Sequence, residues 1–279
     1  MRCRVKKRYI YLGITLICAA LLLVYEIVGF KAIFGEADKA VEDLVSMTLT
    51  RLLGGFAFIA VLLNTGYRVL VPFRKPFLRS LLISLPAFAV VINNLPIIPL
   101  ISGRAYIDSP VWKIILLLAE CLAVAFFEET AFRGVVFLGF AEKRRGSIKG
   151  LFISIILSSA VFGAVHLLNL FTSSPLSVLL QIGYSFLIGA MCSVVLIRTA
   201  DLWLCVILHA IFNFAGAVVP TCGGGIVWDA PTVAITAILA VLVTVYMVVL
   251  FVKTPVGITA AIYGKQSDGA DVSSVDENI

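Results

Sequence analysis

The sequence contains few charged residues: Asp, Glu, Lys and Arg make up 14% of its 279 residues, about half the share found in soluble domains. This composition excludes a water-facing surface over most of the molecule, because such a surface needs charged side chains. Hydrophobic residues make up 61%, and the mean hydropathy is +1.08. They collect in uncharged runs of roughly 20 residues, the length that crosses about 30 Å of hydrocarbon. The composition therefore predicts an all-α, polytopic membrane helical bundle.

A cysteine pattern that would indicate disulfides or a metal site is also lacking. The six cysteines show no CxxC or zinc-finger spacing, which argues against a disulfide framework or a cysteine-based metal site. The net charge is +6, but the basic residues flank apolar runs instead of forming one patch. They are therefore interpreted as topology signals and lipid-headgroup contacts, and nucleic-acid binding is not expected.

The apolar runs predict about eight transmembrane helices. Their approximate bounds are 9–25, 48–71, 77–101, 111–140, 151–170, 176–197, 202–219 and 231–252. The first run follows a basic segment as in a signal peptide, but its length favours an uncleaved helix. Basic residues fall in alternate loops, which predicts a multi-pass cell-membrane protein with its N- and C-termini in the cytoplasm.

The fourth predicted span carries ionisable residues that an apolar helix should exclude. Glu120, Glu128, Glu129 and Arg133 all lie in it, and each costs about 2.5–3.5 kcal/mol at the centre of a membrane helix. Glu129 and Arg133 are four residues apart and can form an ion pair. Glu128 lies about 100° around the helix and is left free to act. The alternative is a purely structural ion-pair network that locks helices together.

The two histidines, His166 and His209, both lie in apolar spans. A single histidine in a core is more often structural, but two histidines with a free carboxylate favour chemistry. A glutamate and a histidine can activate water as a general base and its partner. His209 and Asn213 share a helical face and can donate hydrogen bonds to an oxyanion. The pattern predicts hydrolysis of an amide by Glu128, His166, His209 and Asn213.

One further residue, Phe162, is expected to orient this set. Phe162 lies four residues before His166 and is expected to limit the rotamers of its imidazole. A zinc ion held by Glu128, His166 and His209, with water as the fourth ligand, is the alternative to a metal-free mechanism. The metal-free mechanism is favoured because no HExxH motif is present. The sequence therefore establishes no cofactor, and a divalent metal such as zinc remains an alternative.

These residues fall into three ordered motifs on separate predicted spans. They are EExxxR at Glu128–Arg133, FxxxH at Phe162–His166 and HxxxN at His209–Asn213. The sequence thereby resembles the CPBP intramembrane proteases, which include CAAX prenyl endopeptidases and the Abi group of bacteriocin-processing and immunity proteins. The resemblance covers about 111–219. It implies an eight-helix bundle with a polar cavity. The resemblance further implies that Glu128 and His166 activate water, that His209 and Asn213 stabilise the oxyanion, and that Glu129 and Arg133 orient the site.

The chain accordingly divides into five expected segments. They are a basic segment with the first helix and an outer loop (1–47), helices two and three (48–110), the catalytic core (111–219), an outer loop with the last helix (220–254) and a polar cytoplasmic tail (255–279).

The expected function is an intramembrane endopeptidase that acts on a membrane-associated protein or peptide. Its expected partners are the lipid bilayer and that substrate, and whether the substrate is lipidated stays open. A non-catalytic immunity or scaffold protein is the main alternative. An ion or proton carrier is a third, which the lack of broken helices and inverted repeats disfavours.

Overall fold

The computed structural model describes residues 2–71, 77–255 and 259–263. Within these ranges the chain is almost entirely helical. The α-helices are α1 Arg2–Val28, α2 Phe30–Phe34, α3 Lys39–Thr65, α4 Phe77–Asn93, α5 Ile97–Ile101, α6 Val111–Glu129, α7 Leu138–Glu142, α8 Ile148–Val165, α9 Pro175–Thr199, α10 Leu202–Cys222, α11 Ala230–Val252 and α12 Ala260–Tyr263. A π-helix at Thr130–Phe137 joins α6 to α7, and a 3₁₀-helix at His166–Phe171 follows α8.

The long helices pack into a membrane-type bundle. Within the described ranges, five helices are long and apolar enough to cross a membrane by length and composition: Lys39–Thr65, Ile148–Phe171, Pro175–Thr199, Leu202–Cys222 and Ala230–Val252. Two further apolar stretches, Gly13–Leu22 and Leu78–Asn93, are shorter. The all-α membrane fold predicted from composition is thus confirmed, with about five to eight spans.

The third predicted span, 77–101, is wrong as a single helix. It ends at Asn93, and a short helix α5 begins at Ile97. The cause is Pro96, which disfavours helical backbone at the residue before it. The freed side chain of Asn94 instead donates from Nδ2 to the carbonyl oxygen of Phe212 in α10, at 2.8 Å.

Helix ends meet at two opposite ends of the bundle. At one end, the Tyr67 hydroxyl donates to Glu142 at 2.8 Å and the Tyr263 hydroxyl donates to the carbonyl oxygen of Leu138 at 2.9 Å. Burial, together with the hydrogen bond to Glu142, raises the pKa of Tyr67. The Tyr263 contact attaches α12 to the start of α7, and the Tyr67 contact attaches the turn after α3 to the end of α7. Two parts of the sequence interpretation, the basic loop at 72–76 and most of the polar tail, at 264–279, lie outside the described residues.

The opposite end is closed by a two-stranded antiparallel ribbon. Strand β1, Ala105–Ile107, pairs with β2, Gly223–Gly225, with Ala105 opposite Gly225. An ion pair between Arg104 and Asp229 lies beside it. The ribbon connects the start of α6 to the end of α10, the two helices that carry the glutamates and His209.

The helices that carry the three motifs lie next to one another. Helix α6 packs between α3 and α10, the π-helix packs against α8 and α9, and α8 forms a hairpin with α9. Close packing of α3 on α6 depends on Gly55, where a Cβ atom would lie 2.4 Å from the ring of Phe126. The bundle therefore brings the motifs, which are far apart in sequence, to one region of its interior.

Candidate active site

The first motif lies at a change of helix type. Helix α6 ends at Glu129, and the next eight residues form the π-helix Thr130–Phe137. The Thr130 hydroxyl donates to the carbonyl oxygens of Phe126 and Phe127, at 2.8 and 2.9 Å. Hydroxyl groups that compete with the backbone in this way loosen the regular helical ladder, and π-turns occur frequently at functional sites. The spacing of apolar residues does not indicate a change from α-helix to π-helix, and the sequence predicted an ordinary helix here.

Glu129 and Arg133 form a fully buried ion pair. Arg133 Nη1 lies 3.1 Å from Glu129 Oε1, and the two side chains are 1% and 0% exposed. The guanidinium also lies over the ring of Phe162, 4.3 Å from its centroid. The pairing expected from their four-residue spacing is present. Because neither charge reaches solvent, each is stabilised only by its partner and by the groups packed around it.

His209 lies between the two glutamates. Its Nδ1 is 2.8 Å from Glu129 Oε1, and its Nε2 is 3.5 Å from Glu128 Oε2. A carboxylate accepts hydrogen bonds, so Glu129 holds the proton on Nδ1 and turns Nε2 toward Glu128. The Glu128 side chain is 17% exposed, whereas Glu129 is buried. The buried glutamate therefore holds the Nδ1 side of the imidazole, and the partly exposed one lies on its Nε2 side.

His166 begins the 3₁₀-helix that follows α8. Its Nδ1 lies 2.9 Å from the carbonyl oxygen of Phe162, which can only accept a hydrogen bond. The neutral ring therefore keeps its lone pair on Nε2. The ring of Phe162 lies edge-on to both histidines, with centroids 5.2 Å from His166 and 5.8 Å from His209. Phe162 thus contacts residues of all three motifs.

Asn213 follows His209 by one turn of α10 and is partly exposed. No hydrogen bond from its carboxamide to another described residue is present. The backbone beside it is held by Asn94, through the bond to the Phe212 carbonyl oxygen at 2.8 Å. The carboxamide is therefore available beside His209, on a backbone that is fixed.

Gly189 on α9 makes room for Arg133, a role that the sequence interpretation missed. A Cβ atom at Gly189 would lie 2.8 Å from Arg133 Nη2 and 3.3 Å from Ser159 Oγ and from the ring of Phe162. Ser159 Oγ, Glu129 Oε2 and the guanidinium nitrogens are buried without a hydrogen bond to the described residues. The space beside Gly189 thus holds an unusual concentration of buried polar atoms. A glycine in an apolar helix is too common to have indicated this from sequence.

The side-chain arrangement does not fit a zinc ion held by Glu128, His166 and His209. A metal ion needs several ligand atoms close together. Among the acidic, cysteine and histidine side chains of the described residues, the group of three that meets this condition is Glu129, Cys192 and Cys205, whose ligand atoms lie within 4.8 Å of one another. That group is completely buried, and its carboxylate is already paired with Arg133. The Cys205 thiol donates to the carbonyl oxygen of Cys192 at 3.3 Å. The chemistry proposed below therefore rests on side chains alone.

Comparison with known proteins bears on the same part of the chain. Residues 110–215 match the family model described as type II CAAX prenyl endopeptidase Rce1-like. No curated protein and no solved structure matches the chain. The matched segment contains every residue of the three motifs, and the match is consistent with the CPBP resemblance. The chain is a multi-pass membrane protein that is similar, over residues 110–215, to the Rce1-like type II CAAX prenyl endopeptidases.

Proposed function

We propose that the protein is an intramembrane endopeptidase that hydrolyses a peptide bond in a membrane-associated protein or peptide. The observation that carries this proposal is the position of His209, which is bound by buried Glu129 at 2.8 Å and faces partly exposed Glu128 at 3.5 Å. A purely structural ion pair would need Glu129 and Arg133 but gives no reason for a second glutamate on the open side of the imidazole.

Glu128 and His166 activate the attacking water in this proposal. Glu128 is the carboxylate of the motif that does not pair with Arg133, and it keeps limited access to solvent. It takes a proton from water as that water attacks the carbonyl carbon of the substrate. His166 offers the Nε2 lone pair, because Nδ1 donates to the Phe162 carbonyl oxygen. The proton is then delivered to the leaving amine, which becomes the new amino terminus.

His209 and Asn213 stabilise the oxyanion that forms on the carbonyl oxygen. In its protonated form His209 donates from Nε2, while Nδ1 stays bound to Glu129. Asn213 donates from its amide one helical turn away. Such donors in a site of low dielectric contribute about 2.7–4 kcal/mol each to transition-state stabilisation.

Glu129 and Arg133 maintain this geometry and balance its charge. With His209 protonated, two carboxylates, one guanidinium and one imidazolium sum to zero charge in the buried cluster. A neutral sum is the arrangement that a low-dielectric interior tolerates best. The pair therefore acts through His209 and does not contact the substrate.

The test is cleavage by the purified full chain in lipid nanodiscs. The probe is a peptide that ends in a CAAX-type sequence with a farnesylated cysteine, and the same peptide without the lipid shows whether a lipid is required. Glu128→Gln, which nearly preserves shape, is expected to lower the rate by about 10²- to 10⁴-fold with an unchanged thermal unfolding midpoint. In ¹⁸O-water, the new carboxyl terminus should gain one ¹⁸O atom.

Equal cleavage by wild type and Glu128→Gln would refute the proposal. A biological phenotype that survives in Glu128→Gln, without any cleavage by wild type, would instead favour the immunity or scaffold function.

A further inference from the structure

Helix α3 carries an arginine in the middle of an apolar stretch, and the proposed reaction does not use it. Arg51 lies near the midpoint of this 27-residue helix, and no other charged residue is present from 44 to 65. The helix is long and apolar enough to cross a membrane. A charge at that depth costs free energy and usually marks a binding partner. The presence of Arg51 therefore requires an explanation.

The guanidinium of Arg51 lies beside the first motif. Its Cζ atom is 4.8 Å from the centroid of the Phe127 ring, and Phe127 directly precedes Glu128. Its Nε donates to the thioether sulfur of Met47 at 3.3 Å. Among the described residues, its two terminal nitrogens have no hydrogen-bond or ion-pair partner. The end of the guanidinium that is suited to bind an anion is therefore available, close to the candidate active site.

Packing of α3 against α6 does not explain the charge of Arg51. The Phe127 ring is already held by Gly54, where a Cβ atom would lie 2.7 Å from it, and by the Phe58 ring, whose centroid is 5.6 Å away. An apolar side chain of similar length at position 51 could cover the ring equally well. A cation–π contact at a partly exposed site contributes less than a charge costs at the centre of a membrane helix.

The three glutamates of α6 form no ion pair with Arg51 in the part of the chain that the structure describes. Glu128 and Glu129 both contact His209, one at each ring nitrogen. Glu120 lies about two turns before Glu128, and the thiol of the next residue donates to its Oε2 at 3.5 Å. The positive charge of Arg51 therefore has no direct counter-ion among these carboxylates.

A carboxylate from the substrate would supply such a counter-ion. The terminal nitrogens of a guanidinium form a planar fork, which can donate two parallel hydrogen bonds to one carboxylate. A peptide that is cut near its carboxyl terminus carries this group a few residues from the scissile bond. Each extended residue spans about 3.3 Å, so the carboxylate would lie on the order of 10 Å from Glu128. Arg51, which contacts the residue before Glu128, lies on this scale of distance.

We propose that Arg51 binds the terminal carboxylate of the substrate and thereby selects bonds that lie near a free carboxyl terminus. For its choice of ligand, this inference rests on the proposed function. Arg51 would contact the substrate but take no part in the activation of water or the stabilisation of the oxyanion.

The first experiment compares two forms of the farnesylated peptide in the nanodisc assay, one with a free terminal carboxylate and one with a terminal amide. For wild type, we expect kcat/KM to be about 13- to 160-fold higher for the acid than for the amide, as for hydrogen bonds to a charged group, mainly through KM. In Arg51→Met this ratio should approach one. The ratio is taken within each variant, so a smaller amount of folded enzyme does not change it.

Two further variants serve as controls for charge and geometry. Lys113→Met also removes a cation, but from a position about 21 Å before Phe127 along α6, and it should keep the wild-type ratio. Arg51→Lys keeps the charge without the planar fork and should give an intermediate ratio. A wild-type ratio in both Arg51 variants would overturn the proposal, and so would a ratio that only Lys113→Met abolishes.

A second measurement does not depend on cleavage. In a Glu128→Gln background, the anisotropy of the fluorescently labelled peptides reports binding, and the acid should bind more tightly than the amide by a factor that Arg51→Met removes. If Arg51 instead binds a lipid phosphate, the acid and the amide should bind equally, and Arg51→Met should lower the thermal midpoint.

The outcomes separate this inference from the protease proposal. Equal kcat/KM and equal Kd for the acid and the amide in wild type overturn the role of Arg51 and leave the protease proposal standing. Arg51-dependent preference for the acid in binding, without Glu128-dependent cleavage by wild type, supports a carboxylate-binding site and refutes the protease. No binding of either peptide overturns the role of Arg51 for this class of ligand.

Discussion

Replacing Gly189 with alanine tests whether the position of Arg133 controls the site. The added Cβ atom would lie 2.8 Å from Arg133 Nη2, inside normal contact distance, and 3.3 Å from Ser159 Oγ. A flexible arginine could move away at little cost. This guanidinium is 1% exposed, paired with Glu129 at 3.1 Å and stacked 4.3 Å from the centre of the Phe162 ring. The strain therefore passes to Glu129 and from there to His209.

Overpacking a dense interior costs about 1–3 kcal/mol. If all of this cost raised the free energy of the transition state, kcat would fall about 5- to 150-fold. The expected result for Gly189→Ala is a lower thermal unfolding midpoint and a fall in kcat within that range, with KM nearly unchanged. Gly183→Ala on the same helix is the control, since a Cβ atom there meets nothing within 4 Å. Its effect on stability should be small or favourable, by up to about 1 kcal/mol.

The assay pairs differential scanning fluorimetry with steady-state cleavage of the peptide in nanodiscs. If Gly189→Ala and Gly183→Ala gave the same midpoint and the same kcat, the reasoning would be wrong. Arg133 would then be mobile, and its packing would not determine the geometry of His209.

Other perturbations test separate parts of the site. Asn213→Ala should lower kcat by about 10²- to 10³-fold with an unchanged midpoint, and normal turnover would remove Asn213 from the oxyanion role. Arg133→Met alone should destabilise the fold by about 3–5 kcal/mol, because it leaves the Glu129 charge buried without a partner. The double variant with Glu129→Gln removes that charge and can still accept a hydrogen bond from His209, so thermal unfolding should show that it recovers part of the lost stability. Removal of divalent metals by a chelator should leave cleavage unchanged, whereas loss of activity restored by zinc would overturn the metal-free chemistry. Tyr263→Phe should lower the free energy of unfolding by about 0.5–1.5 kcal/mol, as for loss of one hydrogen bond, if α12 secures the start of α7, and an unchanged thermal midpoint would argue against that attachment.

The sequence predicted correctly those features that depend on a single helix. The pairing of Glu129 with Arg133 follows from the pitch of a single helix, and a hydrophobic run reports its own length. It failed where backbone geometry depends on neighbours or on local breaks. The predicted span 77–101 ends at Asn93, and His166, which was expected inside a regular helix, begins a 3₁₀-helix. Neither change alters the apolar character of the stretch, so hydropathy could not indicate it.

The sequence also did not predict which glutamate His209 contacts. Spacing placed His209 with Asn213 and left open which glutamate it would meet. The structure shows that both do, one at each ring nitrogen. That arrangement depends on how α10 packs against α6, which is a property of the two helices together.

By itself, the sequence determined that this protein is a helical membrane protein and which few polar residues are most costly to bury, because the cost of burying charge in hydrocarbon applies to every fold. Tertiary structure alone decided which of those residues meet. Glu129 turns His209 toward Glu128, Phe162 contacts residues of all three motifs, and Gly189 leaves the space that Arg133 fills. The physical reason is that the cost of burial depends on the type of each residue, which the sequence gives. Hydrogen bonds and packing act over a few ångströms and depend on how the helices are arranged around one another.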